Sequence, residues 1–243
     1  MKFLLQKNVL LDFIFALQKS KEWWDWWRPG DNVVEFVESG CSKDICPIGS
    51  LEFCLDYYRA LGISLHPINI PQELSLFTGG VWRMLPNDVM EGMIVSPDSL
   101  WPGHQEFIKS DTKFKYPGNG LYQSFSEFKK TEYYDQDDTY QVSVYIPDIL
   151  NEWRIFVLGG EVLDCKCYFS DDPFDIKAPS SDRVREIIKQ INLPAFTLDI
   201  ATSHYRKDII IEVHDFFSCG LYGFADYNKL PYMFYRSHAH KFL

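Results

Sequence analysis

The residues with the most chemical promise sit in two short apolar runs in the last quarter of the chain. FTLDIA carries Asp199 between Leu198 and Ile200, and DIIIEVHD carries Glu212 and His214 on either side of Val213. Side chains alternate between the faces of an extended strand. Glu212 and His214 are therefore expected on one face and Ile211 and Val213 on the other, while Asp199 points opposite to Leu198 and Ile200. The segment between the runs is short enough for them to pair, which would set Asp199 across from Glu212 and His214. Two carboxylates placed together repel and are costly to bury. A divalent cation removes that cost, and Mg2+ suits oxygen ligands that bridge to phosphates. A solvated sheet face with ordinary acidic residues satisfies the same spacing. Asp215 joins the group only if the strand ends there.

Three cations extend the set. Lys109 projects from EFIKS and could neutralise a phosphate oxygen, or lie along a sheet edge with its ammonium in water. Arg154 stands in the apolar run WRIFVL, where its rigid fork suits a bidentate grip on phosphate or carboxylate, or a salt bridge to Glu152. Lys166 could add a second positive charge from the same sheet, or be an ordinary solvated lysine.

The elements that must position these residues are legible in part. EWRIFVLGGEVLDCKCY reads as two strands joined at Gly159 and Gly160, a hairpin signal. SSDRVREIIKQINLP reads as an amphipathic helix capped by Ser181, with Val184, Ile187, Ile188 and Ile191 as its buried stripe and Pro194 beyond its end. With FTLDIA and DIIIEVHD this gives hairpin, helix and two strands, an α+β unit on a mostly antiparallel sheet. Upstream, EFIKS and YQVSVYI read as strands, the second ending at Pro147. DTKFKYPGNG reads as a turn or mobile loop, and SFSEFKKTEYY holds a short helix. Near the N-terminus VVEFV reads as a strand, and Ser50 caps a helix with Leu51, Cys54, Leu55, Tyr58 and Leu61 at helical spacing and Gly62 as its stop. Trp23, Trp24, Trp26 and Trp27 cannot all face inward on one short helix, so some must cover a neighbouring surface. His238 and His240 read as a frayed tail.

Composition limits the function. The chain has 243 residues, 46% hydrophobic and 16% aromatic, enough for a sizeable core. Its formal charge of −10 argues against a nucleic-acid partner held mainly by electrostatics. The opening MKFLLQKNVLLDFIFAL resembles a signal peptide only faintly. Lys7, Asp12 and the lack of a small-residue cleavage pattern favour a short edge strand and helix. No apolar run reaches the roughly 18 residues of a membrane span. The six cysteines, at 41, 46, 54, 165, 167 and 219, lack C-x-x-C spacing. These features together lead us to expect a cytoplasmic protein with reduced thiols. No phosphate-binding GxxxxGK[ST], dinucleotide GxGxxG, G-x-S-x-G or HExxH motif occurs.

Taken in order, Lys109 in EFIKSD, Arg154 in NEWRIFVLGGEVLDC, Asp199 in FTLDIA and the segment IIEVHDFFSCGLYGF resemble ATP-grasp proteins, most closely their R2K branch, over roughly residues 45–225. The resemblance implies a nucleotide clasped between two α+β subdomains, residues 76–150 and 151–243, behind a small α/β domain, residues 1–75. Carried over by position, Lys109 would contact the nucleotide, Ser143, Val144, Tyr145 and Ile146 would border the adenine, and Arg154 would meet phosphates or an acyl phosphate, with Lys166 beside it. Asp199 and Glu212 would hold Mg2+. His214 stands where many members carry Asn, leaving His214 and Asp215 as alternatives for a third ligand. The implied activity uses ATP to activate a small-molecule or peptide carboxylate for attack by an amine, with no membrane involved. An inactive binding module, or a phosphotransferase or nucleic-acid end-modifying enzyme, would share the same pocket.

Overall fold

The computed structural model describes all residues except 8–10, 28–31, 39–41, 79–80, 86–88, 95–104, 205–207 and 218; Cys41 and His104 thus lie outside the described residues. Three sheets organise the chain. The first is parallel, with β1 (Lys2–Gln6) between β2 (Trp23–Trp27) and β3 (Ile45–Ile48). Parallel neighbours need a crossover, and helix α1 (Leu11–Ser20) supplies it between β1 and β2. β1 is therefore the central strand rather than an edge, because both its ladders are filled. The tryptophan run is strand β2 rather than helix. The tryptophans are not all buried: Trp24 packs on the core, whereas Trp23, on the opposite face of the strand, and Trp26, on the same face as Trp24, are exposed. VVEFV also departs from expectation. It forms the short helix α2 (Val33–Phe36), started by the Asn32 side chain accepting from the Val34 amide at 2.9 Å, so a local cap overrides its β-branched composition. Helix α3 (Leu51–Ala60) starts at Ser50 as expected, and its buried face is Phe53, Cys54, Tyr57 and Tyr58. Gly62 follows with φ +74°.

The second sheet is antiparallel, in the order β5 (Val89–Ile94), β4 (Val81–Leu85), β8 (Tyr140–Val144), β6 (Glu106–Ser110), β7 (Gly120–Tyr122). Ile108, Tyr140 and Val142 turn one way, onto Phe128 of the short helix α4 (Phe125–Phe128). Phe107, Lys109, Gln141 and Ser143 therefore turn the other way.

The third sheet carries the C-terminal elements in the order β10 (Glu161–Ser170), β9 (Ile149–Leu158), β11 (Ala195–Ser203), β12 (Ile209–Asp215), all antiparallel. The hairpin turns at Gly159 and Gly160, with φ +59° and +83°, the left-handed region that glycine enters without a Cβ penalty. Helix α5 (Ser181–Ile188) covers one face, burying Val184, Ile187 and Ile188 against Ile155, Val157, Leu198, Ile200 and Val213. Each such aliphatic side chain is worth about 1.5–3 kcal/mol when fully buried. Its cap is Ser180, one residue earlier than expected, with Ser180 Oγ accepting from the Arg183 amide. His238 and His240 are not a tail. They belong to helix α6 (Leu230–His240), which packs Leu230, Met233 and Phe234 with Phe156, Phe216 and the β1–α1 unit.

Candidate active site

One rung crosses the third sheet. Lys166 pairs with Arg154, Arg154 with Asp199, and Asp199 with Glu212, so four strands present their charged residues in a single row on the face away from α5. The next rung sets Phe156, Thr197 and His214 side by side. A bulge lies between these strands at Ile211: Asp199 pairs with Glu212, yet Ile200 pairs with Ile210. Ile210 therefore joins Val213 in the core, and Ile211 lines a cavity instead of sharing Val213's face.

Asp199 and Glu212, equivalent by spacing, differ in environment. Asp199 is buried and receives two hydrogen bonds from Arg154, Nε to Oδ1 at 2.8 Å and Nη2 to Oδ2 at 2.7 Å. Tyr168 donates to Oδ2 at 3.4 Å. The guanidinium lies over the Tyr222 ring at 4.9 Å and donates from Nη1 to the Gly220 carbonyl at 3.2 Å. A Cβ at Gly220 would stand 3.1 Å from the Tyr222 ring and 3.4 Å from Arg154 Nη1, so a side chain there would press on the ring that covers the guanidinium. Glu212 is more open, with 23% of its side chain accessible, and accepts from Lys109 Nζ at 3.0 Å. His214 Nε2 lies 3.4 Å from Glu212 Oε2 and 3.9 Å from Asp199 Oδ2. Burial works to raise the Glu212 carboxyl, but the hydrogen bond from His214 and the Lys109 charge outweigh it and hold the pKa at about 2.

Lys109 crosses from the second sheet to the third, and a cavity opens on each side of it. The first, of about 290 Å³, is mostly apolar and is lined by Val81, Phe107, Ile149, Ile209, Ile210 and Ile211, together with Ser143, Val144, Tyr145 and Ile146. The second, of about 340 Å³, has an apolar wall of Leu51, Ile68, Phe114 and Phe217 but also gathers the charged and polar groups of His66, Asn69, Lys113, Lys115, Asn119, Glu212 and His214. Lys109 lines both. The structure thus brings the expected 143–146 strand, Lys109, Glu212 and His214 around one cleft. Arg154, Asp199 and Lys166 line neither cavity; they stand behind the cleft, with Lys166 paired to Asp164 at 3.1 Å. β12 does end at Asp215, but its carboxylate is taken by Ser237 and Lys241 at the end of the chain.

Several residues at the cleft escaped the sequence reading. Asn69 is buried at φ +51°, donates to the Ser110 carbonyl at 3.1 Å and to Asp111 Oδ1 at 2.7 Å, and its own carbonyl accepts from the Val213 amide at 2.7 Å. Gln141 accepts from the Ile70 amide and donates to the Ile70 carbonyl. The Asn69–Ile70 link therefore ties the two sheets that flank the cleft. Nothing local to Asn69 signals this role, since its partners come from two distant segments, 110–111 and Val213. Phe107 was readable from its alternation with Lys109. The 111–119 loop has a pinned stem: Ser110 Oγ donates to buried Asp138 at 2.8 Å and accepts from the Lys113 amide at 2.9 Å.

Mg2+ usually rests on one or two carboxylates plus substrate phosphates rather than on an all-protein cage. Among the described residues no three His, Cys, Asp or Glu side chains converge as such a cage. Glu212, ionised and facing the cleft with Asp199 and His214 beside it, fits the sparser kind of site.

Comparison with known proteins agrees with this architecture. The model of the ATP-grasp domain, R2K clade family 3, matches residues 64–233. No curated protein matches the chain. Solved structures share its fold at low identity. D-alanine–D-alanine ligase from Bacillus anthracis, complexed with ATP, superposes with a TM-score of 0.58 at 12% identity, over 99% of this chain and 98% of that one. D-cycloserine synthetase DcsG gives 0.60 at 9%, over 100% of both chains. A RimK domain ATP-grasp protein from Sphaerobacter thermophilus gives 0.53 at 12%, over 100% and 99%. With the matched model spanning both cleft-forming sheets, the chain belongs to the ATP-grasp domain family, R2K clade family 3.

Proposed function

We propose that the chain is a Mg2+-dependent ligase that uses ATP to activate a carboxylate for attack by an amine. The observation that carries the reading is Lys109, which spans two adjoining cavities, one mostly apolar and one with a cluster of charged side chains, and meets Glu212 between them. In this reading the adenine lies in the apolar cavity, bordered by Ser143, Val144, Tyr145 and Ile146, where backbone groups just beyond the end of β8 read its rim. The phosphates run past Lys109 toward Glu212. Glu212, flanked by Asp199 and His214, would hold Mg2+, whose charge would offset that of the transferring phosphoryl group. Lys109 neutralises phosphate oxygens directly. Arg154 holds Asp199 in place, and Lys166, paired to Asp164, closes the row behind the cleft. The second cavity receives the carboxylate and the amine, and Lys113 and Asn119 of the 111–119 loop border it. Exclusion of water there protects the acyl phosphate.

Five cysteines in the described residues are free thiols, in keeping with the reducing cytoplasm, and among those residues no helix is long and apolar enough to cross a membrane. The domain division is proposed as 1–75, 76–150 and 151–243, one sheet each apart from Ile149 and Leu150, which already belong to β9. The test is ADP release from ATP with Mg2+ and pools of carboxylates and amines, for the parent and for Lys109→Ala. Turnover that requires all three components and falls at least about a hundredfold in the variant supports the ligase. ATP binding without turnover on any pair leaves a binding module. Turnover unchanged by Lys109→Ala removes the proposed geometry.

A further inference from the structure

We infer that the substrate in the second cavity beside Lys109 is an extended acidic peptide segment rather than a free amino acid. This deepens the ligase reading and rests on it. The second cavity does not stand alone. A further groove of about 490 Å³ adjoins it, and His66, Lys113 and Phe114 line both. Its remaining wall comes from the end of α3 and the 62–65 segment, including Arg59, Ile63 and Leu65. His66 Nδ1 lies 3.2 Å from the Thr112 carbonyl, joining that segment to the 111–119 loop. A path therefore leads from Glu212 and His214 out across His66 to Arg59. The inner cavity alone has the volume of a small-molecule site, and the outer groove is larger. A single amino acid would leave most of that path empty.

Charge identifies the occupant. The whole chain carries −10, yet the outer groove is lined by Arg59 and Lys113 and by no acid. The inner cavity adds Lys109 and Lys115, and its two acids are already engaged, Glu212 by Lys109 and Asp215 by Lys241. Lys113 stands 3.5 Å from buried Asp138, which stays in place; at the surface Arg59 pairs with Asp56, Lys115 with Glu52 and Lys113 with Asp135. Ion pairs at the surface are weak, so an incoming carboxylate can exchange for these partners at little cost. Leu65, Ile63 and Phe114 between the cations offer apolar contact to the stems of the bound side chains.

The experiment measures fluorescence anisotropy of a labelled, N-acetylated hexaaspartate peptide, with Mg2+ and a non-hydrolysable ATP analogue present. Tighter binding than hexaglycine is expected, together with about tenfold weakening in the Arg59→Ala/Lys113→Ala double variant, from the loss of two exposed ion pairs. Arg59→Glu alone, at an exposed position, is expected to weaken binding in the same direction and serves if the double variant folds poorly. The inference is overturned if hexaglycine binds equally well, if the Arg59 variants bind as the parent does, if free aspartate displaces the peptide at equal concentration, or if a single-stranded DNA of equal charge binds as tightly. Calorimetry with the ATP analogue alone reports on the nucleotide cavity. Lost nucleotide binding there refutes the ligase reading, whereas intact nucleotide binding without peptide binding refutes only this inference.

Discussion

Replacing Glu212 by Gln isolates the contact between the two sheets. Lys109 Nζ and Glu212 Oε2 are 3.0 Å apart. With an effective dielectric of about 20, that separation gives a gross attraction of about 5 to 6 kcal/mol. Roughly a fifth of each side chain is accessible, and desolvation offsets most of the attraction, leaving a net contribution of about 1 kcal/mol. Gln keeps the shape and can still accept from Lys109, so Tm should fall by only about 2–4 °C. The larger effect is on ligands. Without Mg2+, Glu212 holds Lys109 away from an incoming phosphate; removing its charge frees the lysine. Nucleotide affinity in EDTA should therefore rise about fivefold, which is the same 1 kcal/mol expressed as a ratio. With Mg2+ present the variant lacks the proposed carboxylate for the ion, so the gain in affinity on adding Mg2+ should largely vanish. Calorimetric titration of ADP with and without Mg2+, for parent and variant, reads both effects. An unchanged response to Mg2+ in Glu212→Gln would refute Glu212 as the metal's carboxylate, and an unchanged affinity in EDTA would refute its hold on Lys109.

Other outcomes follow from buried polar groups. His238 Nε2 donates to the Lys43 carbonyl at 3.0 Å; burial keeps the ring neutral, which leaves Nδ1 to accept from the Tyr58 hydroxyl at 2.9 Å. Burial lowers its pKa to about 4, against 6.5 when unfolded, so the unfolded chain binds the extra proton between these values. Stability should therefore fall by about 3 kcal/mol as pH drops from 6.5 to 4, and His238→Gln should flatten that part of a urea-denaturation profile. Among the described residues Thr197 Oγ1 is buried with no hydrogen-bond partner, so Thr197→Val should be neutral or stabilise by up to about 1 kcal/mol in the same assay; a clear loss of stability would reveal a partner for the hydroxyl. Asn69→Gly keeps the φ +51° backbone but removes the two side-chain hydrogen bonds to Ser110 and Asp111, and should cost about 1–3 kcal/mol. Equal stability would remove Asn69 as the tie between the sheets.

The sequence by itself determined the local elements of the C-terminal half. Alternating residues in WRIFVL, FTLDIA and DIIIEVHD, the two glycines of the hairpin and the stripe of α5 are short-range patterns, and the strands and helix lie where those patterns put them. Direct pairing of Asp199 with Glu212 followed from the same periodicity. Local signals misled where a neighbouring interaction was stronger: the Asn32 cap turned VVEFV into a helix, and pairing with β1 made the tryptophan run a strand. Only the tertiary structure decided how the charged row divides its work. Arg154 occupies Asp199, Lys109 arrives from another sheet to meet Glu212, and Lys241 claims Asp215 across most of the C-terminal segment. Each of those choices depends on which opposite charge comes within about 3 Å after packing, a distance that residue spacing along the chain does not encode. The Ile211 bulge and the Asn69 tie are of the same kind, because both arise from the fit between strands rather than from the residues at those positions.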